Sequence, residues 1–141
     1  MLPVAPDKVA VVMRLEPLPR SFAELERLIT NGLPPQALKA CVEQVCPGIE
    51  GRQLLHRIVP EATLKRRHDR LTARESERTA RLARVFATAL HVWNCEEDAR
   101  TFLRTPHPML ENRAPLDVSL SELGARRVEE LLWRILLGVP A

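Results

Sequence analysis

The chain has no tyrosine, and Trp and Phe together supply only 4% of its 141 residues. Leu, Val and Ala must therefore fill whatever core it has. No run of about 18 apolar residues occurs, so no membrane-spanning helix is expected. The first seven residues, Met1 to Asp7, lack the basic flank and long apolar stretch of a signal peptide. Cysteine is scarce as well: Cys41, Cys46 and Cys95 are odd in number and show no CxxC spacing. Neither a disulfide framework nor a zinc site is expected from them. Each reads as a small apolar core side chain in a reducing cytoplasm.

Catalytic signatures are missing too. The sequence contains no GxSxG, HExxH, P-loop or GxGxxG string. His56, His68, His91 and His107 are scattered. His91 and Cys95 stand four residues apart, but Asn94 reads as a break between them, so a metal or thiol site is not expected there. We expect no enzyme, no cofactor and no metal.

Hydrophobic residues make up 45% of the chain and charged residues 28%, enough for one domain or two small helical subdomains. The net charge of +3 is unevenly placed. Residues 1–70 carry 11 Lys/Arg against 8 Asp/Glu, whereas residues 71–141 carry 10 of each. The excess includes Lys65, Arg66, Arg67 and Arg70, which hints at a basic face on one part and a neutral partner surface on the other.

Apolar periodicity is helical nearly throughout, and strand signals are almost absent. Residues 1–20 read as an arm or a short extended segment. Ser21 and Glu24 form a capping box that opens a helix with Leu25, Leu28 and Ile29 on one face. Asn31-Gly32 stops it. Pro34-Pro35 opens a second helix, on which Leu38, Cys41, Val42 and Val45 share a stripe. Pro47-Gly48 ends that helix. Residues 51–58 and 61–67 form two short helices broken at Val59-Pro60.

The longest helix begins at Thr72, whose capping partner is Glu75. Its stripe is Leu82, Val85, Phe86, Ala89, Leu90 and Trp93. Asn94 is expected to cap a short helix with Ala99, Phe102 and Leu103 inward, ended by Thr105-Pro106. Ser119 with Glu122 is expected to cap the last helix, which buries Val128, Leu131, Leu132, Ile135 and Leu136 and stops at Gly138. The fold class is all-α, with roughly seven helices.

Three segments invite a functional reading. Residues 52–67 have the outline of a helix-turn-helix, in which Thr63, Lys65, Arg66 and Arg67 would face DNA. A solvated linker face explains the same charges equally well. The loop around Asn112 mixes Pro106, Pro108, Met109, Leu110, Pro115 and Leu116. Prolines lower the entropy a loop loses on binding, although Met109, Leu110 and Leu116 could equally anchor it to the core. The tail Gly138 to Ala141 lies beyond a helix stop, has little core to bury, and is suited to insertion into a partner's cleft.

From Leu71 to Ala141 the chain resembles the toxin-binding domain of the Xre/MbcA/ParS antitoxins. The carrying strings are Leu71-Thr72-Ala73-Arg74-Glu75-Ser76-Glu77-Arg78, Arg81-Leu82-Ala83-Arg84-Val85 and Phe102-Leu103-Arg104-Thr105-Pro106-His107-Pro108-Met109-Leu110. Pro115-Leu116-Asp117 and the ending Val128 to Gly138 continue the match. Residues 48–70 resemble the family's Xre-like helix-turn-helix, with Ala62-Thr63-Leu64-Lys65-Arg66-Arg67 where a Thr-Leu-x-x-Arg string is usual. Residues 21–47 match more loosely and residues 1–20 hardly at all. The chain departs from the family at Asn112, where Gly is common, and at His68-Asp69, where a plain linker is common.

The resemblance implies a type II antitoxin whose partner is a RES-domain toxin that consumes NAD or transfers from it. The C-terminal domain would cover the toxin's NAD cleft, and the N-terminal domain would form a homodimer and often bind operator DNA. The implied organisation is an arm at 1–20, a helix-turn-helix domain at 21–70 and a toxin-binding domain at 71–141. The expected toxin contacts are Arg104, Met109, Arg113, Leu137, Gly138, Val139, Pro140 and Ala141. The expected DNA contacts are Thr63, Lys65, Arg66, Arg67 and Arg70. A stand-alone helix-turn-helix regulator is the alternative.

Overall fold

The computed structural model describes residues 3–139. Among them the chain is helical, with no strand beyond an isolated bridge between His107 and Arg113. Nine α-helices are present among the described residues: α1 (Pro6–Val12), α2 (Phe22–Asn31), α3 (Pro35–Val45), α4 (Ile49–Ile58), α5 (Glu61–Lys65), α6 (Ala73–Trp93), α7 (Glu96–Arg104), α8 (Pro115–Val118) and α9 (Glu122–Leu137). A single 3₁₀ turn covers Pro108–Leu110. The residues fall into two compact units that divide inside α6, between Ala83 and Arg84, with residues 3–4 grouped with the second. The expected boundary lay at residues 70 and 71, before that helix begins.

The first unit, residues 5–83, holds α1 to α5 and the opening turns of α6. The reading of residues 1–20 as an arm is corrected here. Pro6 presets the first turn of α1, and Val9, Ala10, Val12 and the following Met13 and Leu15 are all buried. The apolar run Val9 to Val12 is helical, with Val11 turned outward and the other three inward. In α3 the expected stripe is fully inside: Leu38, Cys41, Val42 and Val45 are buried. In α2 only Leu25 is, and Leu28 is exposed, so a moment toward one face did not guarantee a neighbour for every residue on it. Ser21 accepts the Glu24 N–H at 3.1 Å, but Glu24 accepts from the Arg20 N–H at 2.6 Å rather than from Ser21.

Gly32 ends α2 at φ +98°, where a Cβ would meet the Leu71 carbonyl. That close approach lets the Leu71 N–H donate to the Leu33 carbonyl at 2.8 Å and the Leu33 N–H donate to the Ser76 hydroxyl at 2.8 Å. The start of α6 carries a complete capping box: Glu75 N–H to Thr72 Oγ1 at 3.2 Å, and Thr72 N–H to Glu75 Oε1 at 2.9 Å.

The second unit, from residue 84, is built from the rest of α6 with α7, the 3₁₀ turn, α8 and α9. Phe86, Leu103, Leu110, Val128 and Leu132 are among its fully buried side chains. Arg84 fastens α6 to α9 by donating to Glu129 at 2.8 Å and to Glu122 at 2.9 Å.

Two expected caps move. Asn94 takes φ +52° at the end of α6, and Cys95 is the N-cap of α7. Cys95 is therefore exposed at a helix start instead of packing in the core. Ser119 donates to the Pro115 carbonyl at 2.7 Å as the end of α8, and Ser121 caps α9 by accepting the Gly124 N–H at 3.0 Å. The four-residue α8 claimed Ser119 first, a helix too short to announce itself by periodicity. Val128, Leu131 and Leu132 are buried as expected, but Ile135 is half-buried and Leu136 exposed. The apolar stripe of α9 outruns the core beneath it.

Candidate functional site

The overrun is the first element of the site. Helix α9 ends in a Schellman motif: the Gly138 N–H donates to the Ile135 carbonyl at 3.3 Å and the Val139 N–H to the Arg134 carbonyl at 2.9 Å. Gly138 takes φ +69°, as the motif requires. The residue at the Val139 position of such a motif commonly rests on an apolar side chain one turn back. Here that position holds Arg134, and Val139 stays 47% exposed while Leu137 is 62% exposed. The motif fixes the backbone here, and the unit leaves about half of each side chain uncovered. Pro140 and Ala141, the last of the expected tail contacts, lie outside the described residues.

The second element is the loop between α7 and α8. Its shape comes from backbone bonds: His107 N–H to the Arg113 carbonyl at 3.2 Å, Asn112 N–H to the His107 carbonyl at 3.0 Å, and Arg113 N–H to the Leu110 carbonyl at 3.0 Å. Glu111 and Asn112 both adopt left-handed backbone, at φ +55° and +59°. Asn112 can stand in a glycine-favouring position because its short polar side chain tolerates this region. Leu110 and Leu116 anchor the loop in the core, and Met109 faces outward at 46% exposure. The two readings of these apolar residues thus divide between them.

Sequence inspection missed the residue that braces the loop. Arg127, on α9, donates to both oxygens of Glu111 at 3.0 and 2.7 Å and to the Met109 carbonyl at 3.2 Å. Its hydrogen bond holds the Glu111 carboxyl below the usual carboxylate range. An arginine sixteen residues along the chain leaves no short-range signal, and its exposed helical position reads as ordinary surface charge. Arg104 is exposed in the last turn of α7 and Arg113 is exposed in the loop. The structure thus places Met109 and Arg113 on one braced loop, and Leu137, Gly138 and Val139 on the end of the helix that braces it.

The basic segment of the first unit is less uniform than its sequence. Arg67 is committed inward, donating to Glu75 through Nε at 2.8 Å and Nη2 at 3.0 Å. Arg70 donates to the Asn31 carbonyl at 3.2 Å, and Lys65 pairs with Glu61 at 3.5 Å. Thr63 is half-buried, and Arg66 is exposed. Of the five expected DNA contacts, Lys65, Arg66 and Arg70 are thus at the surface, and Arg67 is engaged with Glu75.

The Arg67 hydrogen bond, with those from Thr72, holds the Glu75 carboxyl below its ordinary range. A carboxyl lowered in the folded state stabilises the fold above its unfolded value, about 4.3, and loses that contribution as pH falls through the folded value. We expect Glu75→Gln to lower stability at pH 7 by about 1 kcal/mol. It should also flatten the loss of stability below about pH 4, as read by urea unfolding across pH. An unchanged acid limb would show that this pair contributes nothing.

His91 rests against Trp133 with ring centroids 5.3 Å apart, and Cys95 sits beyond the end of its helix. Among the described residues no group of three or more His, Cys, Asp or Glu could hold a metal ion, and no helix is long and apolar enough to cross a membrane. Burial pushes the Cys41 thiol pKa up, which keeps it protonated.

Residues 24–84 match the model of the antitoxin Xre-like helix-turn-helix domain, and residues 88–138 that of the antitoxin Xre/MbcA/ParS C-terminal toxin-binding domain. The chain is also similar to a protein of Yersinia enterocolitica named Antitoxin Xre, 38% identical over 85 residues. That match spans 57% of this chain and 57% of the Yersinia protein, so the two correspond over little more than half their lengths.

Proposed function

The chain belongs to the Xre/MbcA/ParS-type antitoxins, and we propose that it neutralises a RES-domain toxin by laying its second unit over that toxin's NAD cleft. The observation that carries this reading is the end of α9, where Leu137 and Val139 are fixed by a Schellman motif yet exposed. Fixed apolar groups lose little entropy on docking, so most of their burial energy goes into affinity. The braced loop adds Met109, which lines a hollow with Arg127, Glu130 and Arg134 of the same helix. Neutralisation on this reading is steric: the antitoxin fills the cleft and performs no chemistry. The setting is the cytoplasm, where NAD is available to the toxin. The test is co-purification with a RES-type product of an adjacent reading frame, followed by an NAD-consumption assay with and without this chain. Undiminished NAD consumption with the chain in excess would sink the reading.

The match of residues 24–84 to a helix-turn-helix domain supports a second role, operator binding by a homodimer and autoregulation. A stand-alone regulator is the alternative that the same match allows. Helix α5 has only five residues, about 7.5 Å of helix, so one copy offers few contacts. Lys65 and Arg66 are its outward cations. Replacing Arg66 by Ala should weaken operator binding and reduce the slope of log affinity against log salt by about 1. Arg67→Ala should instead act through fold stability. Equal slopes for wild type and Arg66→Ala would remove this segment as the DNA contact.

A further inference from the structure

The second unit also carries a groove of about 370 Å³, formed where the end of α6, the outer face of α7 and the last turns of α9 meet. Its lining includes Trp93, Thr101, Phe102, His107 and Ile135. The rings form a series: Trp93 to Phe102 at 6.0 Å, and Phe102 to His107 at 6.4 Å between centroids. A chain with two Trp and three Phe has few rings to place, and here a tryptophan is left 37% exposed. An open apolar groove with a half-exposed Trp is a common anchor point of protein interfaces.

Two observations say what it receives. Asp98 is the charged carboxylate among the lining residues, whereas Glu96 and Glu97 before it are held by Arg100 at 3.3 and 2.9 Å. Asp98 is thus the rim carboxylate that a partner's cation would meet. His107 also joins the groove to the braced loop, because its Nδ1 accepts the Met109 N–H at 3.1 Å. The groove and Met109 are thus linked through His107.

We propose that this groove is a second docking point for the toxin, receiving a large apolar side chain that has a Lys or Arg close beside it. The proposal rests on the toxin-binding reading above and extends it to a surface outside the tail. The apolar group lies on the Phe102 and Ile135 floor against the Trp93 ring, and the cation reaches Asp98.

The test uses the full chain and the RES-type product of the adjacent reading frame. Thr101→Arg, on an exposed helical position, fills the groove and should weaken toxin binding at least 30-fold without shifting the melting temperature. Asp98→Lys should slow association several-fold and weaken its salt dependence. In protein carrying 5-fluorotryptophan, two ¹⁹F resonances report the two Trp residues, and the Trp93 resonance should move on saturation with unlabelled toxin. An unmoved Trp93 resonance, or Thr101→Arg binding as wild type does, overturns the groove while leaving the toxin-binding reading intact. A Trp93 resonance that shifts with the chain's own concentration, with toxin affinity unaltered in Thr101→Arg, assigns the groove to a second copy and overturns it too. Failure of the wild-type chain to bind the toxin overturns both.

Discussion

Replacing Leu137 and Val139 together by Asp should abolish neutralisation while leaving the fold in place. Burying one aliphatic side chain contributes about 1.5–3 kcal/mol when it starts fully exposed. These two start about half exposed, so their contacts contribute about 2 kcal/mol together. Carboxylates forced against an apolar partner add a desolvation penalty of similar size or larger. The sum is about 4 kcal/mol, or roughly a thousandfold in affinity. Stability should change little, because neither side chain is in the buried core; acids near a helix C-terminus cost about 0.5 kcal/mol. Leu123→Asp is the matched control. Leu123 is 73% exposed, but it sits in the first turn of α9, about 20 Å of helix away from Leu137, where an acid suits the dipole. Toxin titration monitored by NAD consumption, with circular dichroism melting alongside, reads both. Full neutralisation by the double variant would remove the end of α9 from the interface.

Gly124→Ala should have the largest effect on the fold. Gly124 lies in the first turn of α9, and a Cβ there would run into the Val118 carbonyl oxygen, with the Ser121 Oγ 2.9 Å away. The offending atom is backbone, held by the α8 turn, and cannot rotate aside as a side chain would. Its N–H also donates to Ser121, the cap of the helix. Moving α9 outward to make room would lengthen that bond and loosen Val128 and Leu132 at once. We expect a cost of about 3 kcal/mol, seen as a fall of about 10 °C in melting temperature. A melting temperature within 2 °C of wild type would mean that α8 yields more easily than its bonds suggest.

Much of the fold was readable because its signals are local. A capping box needs four residues, and the box at Thr72 with Glu75 formed as read. The Gly32 and Gly138 stops and the Pro35 start depend on the φ that each residue prefers, and they also stand where expected. Legibility failed where two local signals competed. Ser119 and Ser121 are both plausible caps, and the choice fell to the unannounced helix α8. The N-terminal segment was misread because prolines at its ends masked seven helical residues whose partners lie elsewhere in the unit. The site divides in the same way. An unburied tail from Gly138 was expected from the helix stop, but the exposure of Leu136 was not, and Arg127, Trp93 and Asp98 carry no motif. Their roles arise from distance in space rather than along the chain.

The brace on the Met109 loop bears on how such chains diversify. The loop keeps its course through backbone bonds, the buried Leu110 and the grip of Arg127 on a main-chain oxygen. None of these depends on what side chain stands at Met109 or Arg113. Those two positions can therefore be rewritten without refolding the unit. On the toxin-binding reading, partner choice can change at these two side chains while the loop keeps its course.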